Sequence, residues 1–304
     1  MPLPKLELLY SPEVGNALSD GAPIVALEST VITHGLPHPD NLQLALDMQK
    51  VVRANGATPA TIAVLDGRLH VGLEAGQIET LAANKSARKL SRRDLAGAIT
   101  MGGYGGTTVA ATLFVAHRAG IRVFATGGIG GVHRQAPFDV SADLNAMADT
   151  PALVVSAGAK AILDLPATLE MLETLSVPVV GYQTDTFPAF YSRDSGLKVS
   201  QRVDSPEEAA VLASSHWGLG MVSAVLLAVP LPQEAAISYE DMESIINNAV
   251  TEAVDSGITG QEITPYLLSR VSQLSEGASL KANLALLKQN AAVAAQVAQK
   301  LTGE

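Results

Sequence analysis

The chain has 304 residues, of which 47% are apolar and 16% charged, and it contains no cysteine. A chain of this length buries about three quarters of its unfolded surface, so forming a core is not in question. The formal net charge of −10 argues against general affinity for nucleic acid, and the lack of cysteine excludes disulfides, thiolate zinc sites and cysteine nucleophiles.

The start, Met1-Pro2-Leu3-Pro4-Lys5, lacks the charged and apolar layout of a signal peptide. No apolar run reaches the roughly 20 residues that span a bilayer; Ala22 to Leu27 and Val222 to Val229 are far too short. The expectation is a soluble cytoplasmic protein without a membrane partner. Along the chain, Ile24–Leu27, Thr61–Leu65, Gly97–Ile99, Arg122–Ala125, Leu153–Val155 and Val177–Val180 are short apolar runs that predict buried strands. Helical patterns near Leu42 to Arg53, Thr107 to Ala119 and Ala161 to Leu175 lie between them. Asp66-Gly67 before Arg68-Leu69-His70-Val71 predicts one hairpin. From about Ser205 the character changes. Ser205-Pro206 is a cap with an N1 proline, and further helices are expected near Tyr239 to Ser256, Glu262 to Ser275 and Leu280 to Leu301. Strand and helix in alternation imply an α/β fold. The expected architecture is a mostly parallel central sheet with helices on both faces and a helical C-terminal region. No linker or repeat divides the chain, so one domain over 1–304 is expected.

Lys160 is the only charge in Leu153-Val154-Val155-Ser156-Ala157-Gly158-Ala159-Lys160-Ala161-Ile162-Leu163. The first half reads as a buried strand and the second as the opening of a helix. That places the amine where a strand delivers its end to the ligand crevice of an open α/β sheet. A desolvated ammonium tends to lose its proton and become a nucleophile. The plainer alternative is a lysine whose stem packs on apolar neighbours while its head reaches water.

Two glycine-rich stretches are expected to follow strands: Met101-Gly102-Gly103-Tyr104-Gly105-Gly106-Thr107-Thr108, and Thr126-Gly127-Gly128-Ile129-Gly130-Gly131-Val132-His133-Arg134. Glycine lets backbone amides approach a ligand, and a helix N-terminus favours anions, so a phosphate or sugar site competes here with plain tight turns. Neither stretch is a Walker A loop. Glu28 closes the first apolar strand and is a general acid/base candidate, or equally a capping or paired glutamate. Asp139 and Asp143 flank Ser141, and carboxylates with spare coordination positions suit Mg²⁺ or Mn²⁺; that spacing is also common on helix surfaces. Lys89 begins the basic run Lys89-Leu90-Ser91-Arg92-Arg93-Asp94, which is solvated surface or supplies one cation to a phosphate. His34, His38 and His133 show no paired metal spacing. Trp217 and the Tyr182, Phe187, Phe190, Tyr191 group read as core or rim. No serine sits in a nucleophile elbow.

In combination these segments resemble the pseudouridine-5′-phosphate glycosidase (pseudouridylate synthase) family. The resemblance rests on Ala26-Leu27-Glu28-Ser29-Thr30-Val31-Ile32-Thr33-His34-Gly35, Pro39-Asp40-Asn41 and Lys89-Leu90-Ser91-Arg92-Arg93-Asp94. It continues through Thr107-Thr108-Val109-Ala110, Gly128 to Arg134, Asp139-Val140-Ser141-Ala142-Asp143 and Ser156 to Asp164. Gly260-Gln261, Thr264 to Leu268 and Leu280-Lys281-Ala282-Asn283 complete the set. The family resemblance implies reversible cleavage of the carbon–carbon glycosidic bond of pseudouridine 5′-phosphate to uracil and ribose 5-phosphate, in pseudouridine catabolism. It implies Lys160 as the nucleophile, forming a Schiff-base-type adduct with the sugar, and Glu28 as the proton donor. Lys89, Val109, Thr108, Ser141, Ala142, Asp143, His133 and Asn283 are implied as substrate-binding residues, and Asp139 as the ligand of one Mn²⁺. A homotrimer is also implied. Ser156 departs from the cysteine expected before the Ala-Gly-Ala-Lys run. Two other classes stay open: a Schiff-base sugar-phosphate aldolase or isomerase, and a non-catalytic or pigment-biosynthesis paralogue.

Overall fold

The computed structural model describes residues 7–134, 136–258 and 263–302. The N-terminal Met1 to Lys5 segment, the Gly260-Gln261 pair and Glu262 lie outside the described residues. The strands are β1 (Leu8–Tyr10), β2 (Ile24–Leu27), β3 (Thr58–Leu65), β4 (Arg68–Val71), β5 (Arg88–Leu90), β6 (Gly105–Thr107) and β7 (Val123–Ala125). They continue as β8 (Val132–His133), β9 (Ala136–Val140), β10 (Leu153–Ser156), β11 (Leu163–Asp164), β12 (Val179–Tyr182), β13 (Gln201–Val203) and β14 (Val225–Ala228).

An eleven-stranded sheet runs in the order β1-β4-β3-β2-β7-β10-β14-β12-β13, with β6 also pairing β3 and β5 pairing β6. From β3 to β13 along that path every pairing is parallel. Strands buried on both faces need near-continuous apolar runs; β2, β7, β10, β12 and β14 are buried at every position. A smaller sheet, in the order β11-β8-β9, stands apart from the main one. Since β3 lies on one side of β2 and β7 on the other, the sheet reverses its direction of growth between β2 and β7. A crevice opens at the strand carboxyl ends where that happens.

The expected α/β architecture is present, and several elements stand as read. The Asp66-Gly67 turn has positive φ at both residues and joins antiparallel β3 and β4. Ser205 caps the helix Pro206–Gly218, accepting from the Glu208 amide. Three predictions need correction. Gly97–Ile99 lies in the helix Leu95–Met101 rather than in a strand. A three-residue apolar run carries no period of its own, and the capping box of Ser91 with Asp94 starts helical turns just before it. The first glycine stretch therefore follows a helix, and Gly105–Thr107 is itself β6. Lys160 does not open a helix. The chain turns, forms β11, and enters the helix Leu165–Thr174 only after Asp164 caps it with proline in the first turn.

The helix Ala278–Leu301 packs across β2, β7 and β10 and against the helices Asp40–Ala54 and Pro206–Gly218. Its small residues Ala282, Ala291, Ala294, Ala295 and Ala298 are buried there, which lets the backbone come close to the sheet. Ion pairs of Lys288 with Asp47 and of Lys300 with Glu207, each at 2.6 Å, fasten its outer face. Among the described residues no helix is long and apolar enough to cross a membrane.

Gly158, two residues before Lys160, has φ +81°, and a Cβ there would stand 2.5 Å from the Pro188 carbonyl oxygen. The left-handed backbone alone costs a side chain about 1–2 kcal/mol, and the carbonyl is backbone that cannot swing aside. Gly158→Ala should lower the melting temperature and the activity together; thermal unfolding followed by circular dichroism checks it, and an unchanged midpoint would contradict this packing.

Candidate active site

The register of the parallel strands places the first reactive group. Leu27 of β2 pairs with Ala125 of β7, so Glu28 and Thr126, the next residues of each, emerge side by side. The buried Thr126 hydroxyl donates to Glu28 Oε1. Beyond β7 and β10 the two strand-end loops stay joined: the Ile129 amide donates to the Gly158 carbonyl at 3.0 Å, and the Lys160 amide to the Ile129 carbonyl at 3.1 Å. Lys160 thus stands beside the crevice on a loop fixed by its neighbour.

Arg134 adds a second constraint on that loop. Its Nη2 donates to the Ala161 carbonyl (2.9 Å) and its Nε to the Leu163 carbonyl (3.1 Å). The same guanidinium forms a forked pair with Glu243 at 2.8 and 2.6 Å, a geometry that lysine could not reproduce. Ser156, where a cysteine was expected, donates from its buried hydroxyl to the Gly158 carbonyl at 3.0 Å. The departure leaves the turn before Lys160 closed.

A cavity of about 770 Å³ collects these groups. It is lined by Glu28, Lys89, Thr108, Val109, His133, Asp139, Ser141, Ala142, Asp143, Lys160 and Asn283, so each candidate site residue of the sequence reaches the same space. Lys89 comes from β5, beside β6, rather than from a solvated surface run. Thr108 caps the helix Val109–Arg118 by accepting from the Ala111 amide. Asp143 is buried, and its two carboxylate oxygens accept from the amides of Ala110 and Gly130, both at 2.9 Å. Ser141 in turn accepts from the Asp143 amide at 3.2 Å.

These bonds revise the reading of the glycines. The Ile129 and Gly130 amides are engaged within the protein instead of pointing at a ligand. A Cβ on Gly130 would overlap the Ser141 side chain and stand 2.8 Å from Asp143 Oδ2; glycine here admits a carboxylate of the protein itself. Of the first stretch only Thr108 lines the cavity, whereas Gly127, Gly128 and Gly130 of the second do.

The electrostatics are those of opposed charges gathered in one cleft. Burial pushes the Glu28 carboxyl above the ordinary carboxylate range, and Asp143 adds to this; Lys160, the Thr126 hydroxyl and Lys89 oppose it. Burial, then the neighbouring Lys160, lowers the Lys89 ammonium below the usual lysine range, while Asp143 and Glu28 pull the other way. His133 is lowered by burial and by both lysines, against the pull of Asp139.

Asp139 is exposed on β9 at the cavity wall, and among the described residues no group of three His, Cys, Asp or Glu converges to hold a metal. Both oxygens of Asp143 are already taken by amides. This donor set fits a hard cation that keeps most of its waters and takes a single protein carboxylate, not an all-protein cage. The sequence reading gave no binding role to His34, Asn145, Phe190 and Leu268, which also line the cavity. His34 bonds Thr33 through Nδ1 at 2.7 Å and carried no metal spacing; Phe190, one of the residues read as core or rim, is buried and lines the wall.

Residues 13–300 match the family described as Indigoidine synthase A like protein. A protein of Methylobacterium nodulans named pseudouridine-5′-phosphate glycosidase is 53% identical over 305 residues, covering 100% of this chain and 90% of that one. A protein of the same name from Herpetosiphon aurantiacus is 54% identical, covering 97% and 98%. The crystal structure of the prealnumycin C-glycosynthase AlnA in complex with ribulose 5-phosphate superposes with TM-score 0.91 at 41% identity, covering 99% of this chain and 98% of AlnA. An indigoidine synthase A-like protein from Thermotoga maritima gives TM-score 0.90 at 35% identity, covering 98% and 97%. With sequence and fold shared from end to end, the chain belongs to the family of the indigoidine synthase A-like proteins and pseudouridine-5′-phosphate glycosidases.

Proposed function

We propose that this protein breaks and re-forms the carbon–carbon glycosidic bond of pseudouridine 5′-phosphate, yielding uracil and ribose 5-phosphate through a covalent lysine–sugar adduct. The observation that carries the reading is one cavity that brings together a nucleophile candidate on a fixed loop, a carboxyl that accepts from the Thr126 hydroxyl, and a second cation. Glycosidases with paired carboxylates protonate a leaving oxygen or nitrogen; a C-glycoside offers none, so an amine is needed to make an electron sink. The relatives named for glycosidase are 53% and 54% identical, against 41% for the prealnumycin C-glycosynthase, which favours uracil as the partner of the sugar.

In this reading the free amine of Lys160 adds to C1′ as the ribose opens. Glu28, the proton donor, protonates the ring oxygen as the C1′–oxygen bond breaks and the nitrogen bonds C1′, recovers a proton from the nitrogen of that adduct, and then gives it to the uracil carbon. The electron pair of the C1′–uracil bond departs with the ring, which takes up that proton, while the nitrogen lone pair forms C=N at C1′. Water then hydrolyses the Schiff base and frees ribose 5-phosphate. Lys89, the Thr108–Val109 helix start, the Ser141-Ala142-Asp143 segment, His133 and Asn283 bind and orient the substrate. Asp139 would hold Mn²⁺, which supplies positive charge beside the anionic substrate. The enzyme works in the cytoplasm as a homotrimer; exposed Leu219, Met221 and Val222 are apolar surface that contact between copies would cover.

Purified protein incubated with pseudouridine 5′-phosphate and Mn²⁺ should release uracil, followed by its absorbance after separation. Lys160→Ala should abolish release while circular dichroism shows an intact fold; full activity in that variant would refute the mechanism. Asp139→Ala should raise the Mn²⁺ concentration needed for half-maximal activity, with no change in metal dependence as the contrary result. A proton donor with a raised pKa stays protonated at pH values where ordinary carboxyls are ionised, and activity is lost as pH rises through it. The pH profile of kcat/KM should therefore carry a basic limb above the ordinary glutamate range that disappears in Glu28→Gln. A limb that persists in that variant belongs to another group.

A further inference from the structure

The helix Ala278–Leu301 lays an apolar face on the sheet beneath the active site, with Leu286, Leu287, Ala291, Val293 and Ala294 all buried. Two polar side chains of this helix are buried, Ser279 near its start and Asn290 among those apolar residues. Asn290 is fully buried, and its Nδ2 donates to the Thr126 carbonyl at 2.8 Å and to the Gly127 carbonyl at 3.3 Å. Its Oδ1 is buried with no hydrogen-bond partner among the described residues. Leaving an amide oxygen unpaired inside a protein costs stability, whereas an apolar side chain of the same shape would not. Bulk hydrophobic packing therefore does not explain an asparagine here; the two carbonyls it holds do.

Those carbonyls belong to the turn that follows β7. Thr126 is the residue whose hydroxyl donates to Glu28 Oε1, and the Gly127 carbonyl accepts from the Ala157 amide at 2.9 Å on the strand-end loop leading to Lys160. Asn290 does not line the cavity; its reach into the chemistry runs through Thr126. We propose that Asn290 is a positioning residue, which pins the Thr126–Gly127 turn from behind and so holds the Thr126 hydroxyl against the Glu28 carboxyl. The inference rests on the reading of Glu28 as the proton donor given above. It assigns the last helix, far away in sequence, a part in setting that donor's geometry.

A hydroxyl that donates to a carboxylate favours its charged form, so loosening it raises the pH at which Glu28 gives up its proton. The test measures uracil release by wild type and by Asn290→Leu, Asn290→Ala, Thr126→Val, Thr126→Ser and the double variant Asn290→Leu/Thr126→Val. Wild type that releases no uracil sinks the reading of the function, independently of this proposal. With active wild type, Asn290→Leu should keep KM near the wild-type value and lose kcat on the order of ten- to a hundredfold, as misplacement of a reacting group does. Its basic limb should move to higher pH. Thr126→Val should do the same, Thr126→Ser should restore the wild-type limb, and the double variant should be no worse than Thr126→Val alone, since coupled residues are not additive. Wild-type kcat and an unmoved limb in folded Asn290→Leu or Asn290→Ala would overturn the proposal. So would losses that add in full in the double variant, or a failure of both Asn290 variants to fold, which would mark the residue as purely structural.

Discussion

The parallel pairing of β2, β7 and β10 sets where the reactive groups stand. Because β2 and β7 are in register at Leu27 and Ala125, Glu28 meets Thr126 with no need of a flexible loop. Because the loops after β7 and β10 remain hydrogen-bonded through Ile129, Gly158 and Lys160, the amine is held relative to the same edge. The reversal of the sheet between β2 and β7 then opens space above these ends. Scaffold strands fix a constellation more closely than free loops do, and this site is built almost entirely on strand ends and their immediate continuations.

What fills that space is a set of charges that burial disfavours one by one and that sustain each other together. A carboxyl pushed towards its neutral form by burial, yet facing Lys160 and Lys89, is poised to exchange a proton. Asp143, whose oxygens accept from the Ala110 and Gly130 amides, places a fixed negative charge at a helix start, where it is stabilised. That charge in turn opposes the mutual repulsion of the lysines. In a chain of net charge −10, a local concentration of cations is what distinguishes this cavity as a place for an anionic sugar.

The strands were legible wherever the chain crosses the core in a clean apolar run, as at Ile24–Leu27 and Leu153–Val155. Gly97–Ile99 misled because so short a run has no period, and the Ser91–Asp94 cap beside it decides for helix. Val222 to Val229 shows by itself only an apolar run too short to span a bilayer; Val225–Ala228 is the interior strand β14, and its place between β10 and β12 is set by pairing that no local pattern encodes. Glu28 and Lys160 are legible because each is a lone charge soon after an apolar strand, directly after β2 and four residues after β10. Thr126 was not, since its bond to Glu28 spans 98 residues. The closeness of approach at the glycine loops is visible in the sequence, but not which side chains come close: Asp143 at Gly130, Leu90 at Gly105 and Thr33 at Gly106.

A covalent bond between Lys160 and the sugar is the step on which turnover depends. Reducing the enzyme with borohydride in the presence of ribose 5-phosphate, digesting it and mapping the added mass by mass spectrometry tests this directly. The predicted result is a reduced pentose-phosphate adduct on Lys160. An adduct on Lys89 or elsewhere, or none formed while uracil is still released, would contradict it.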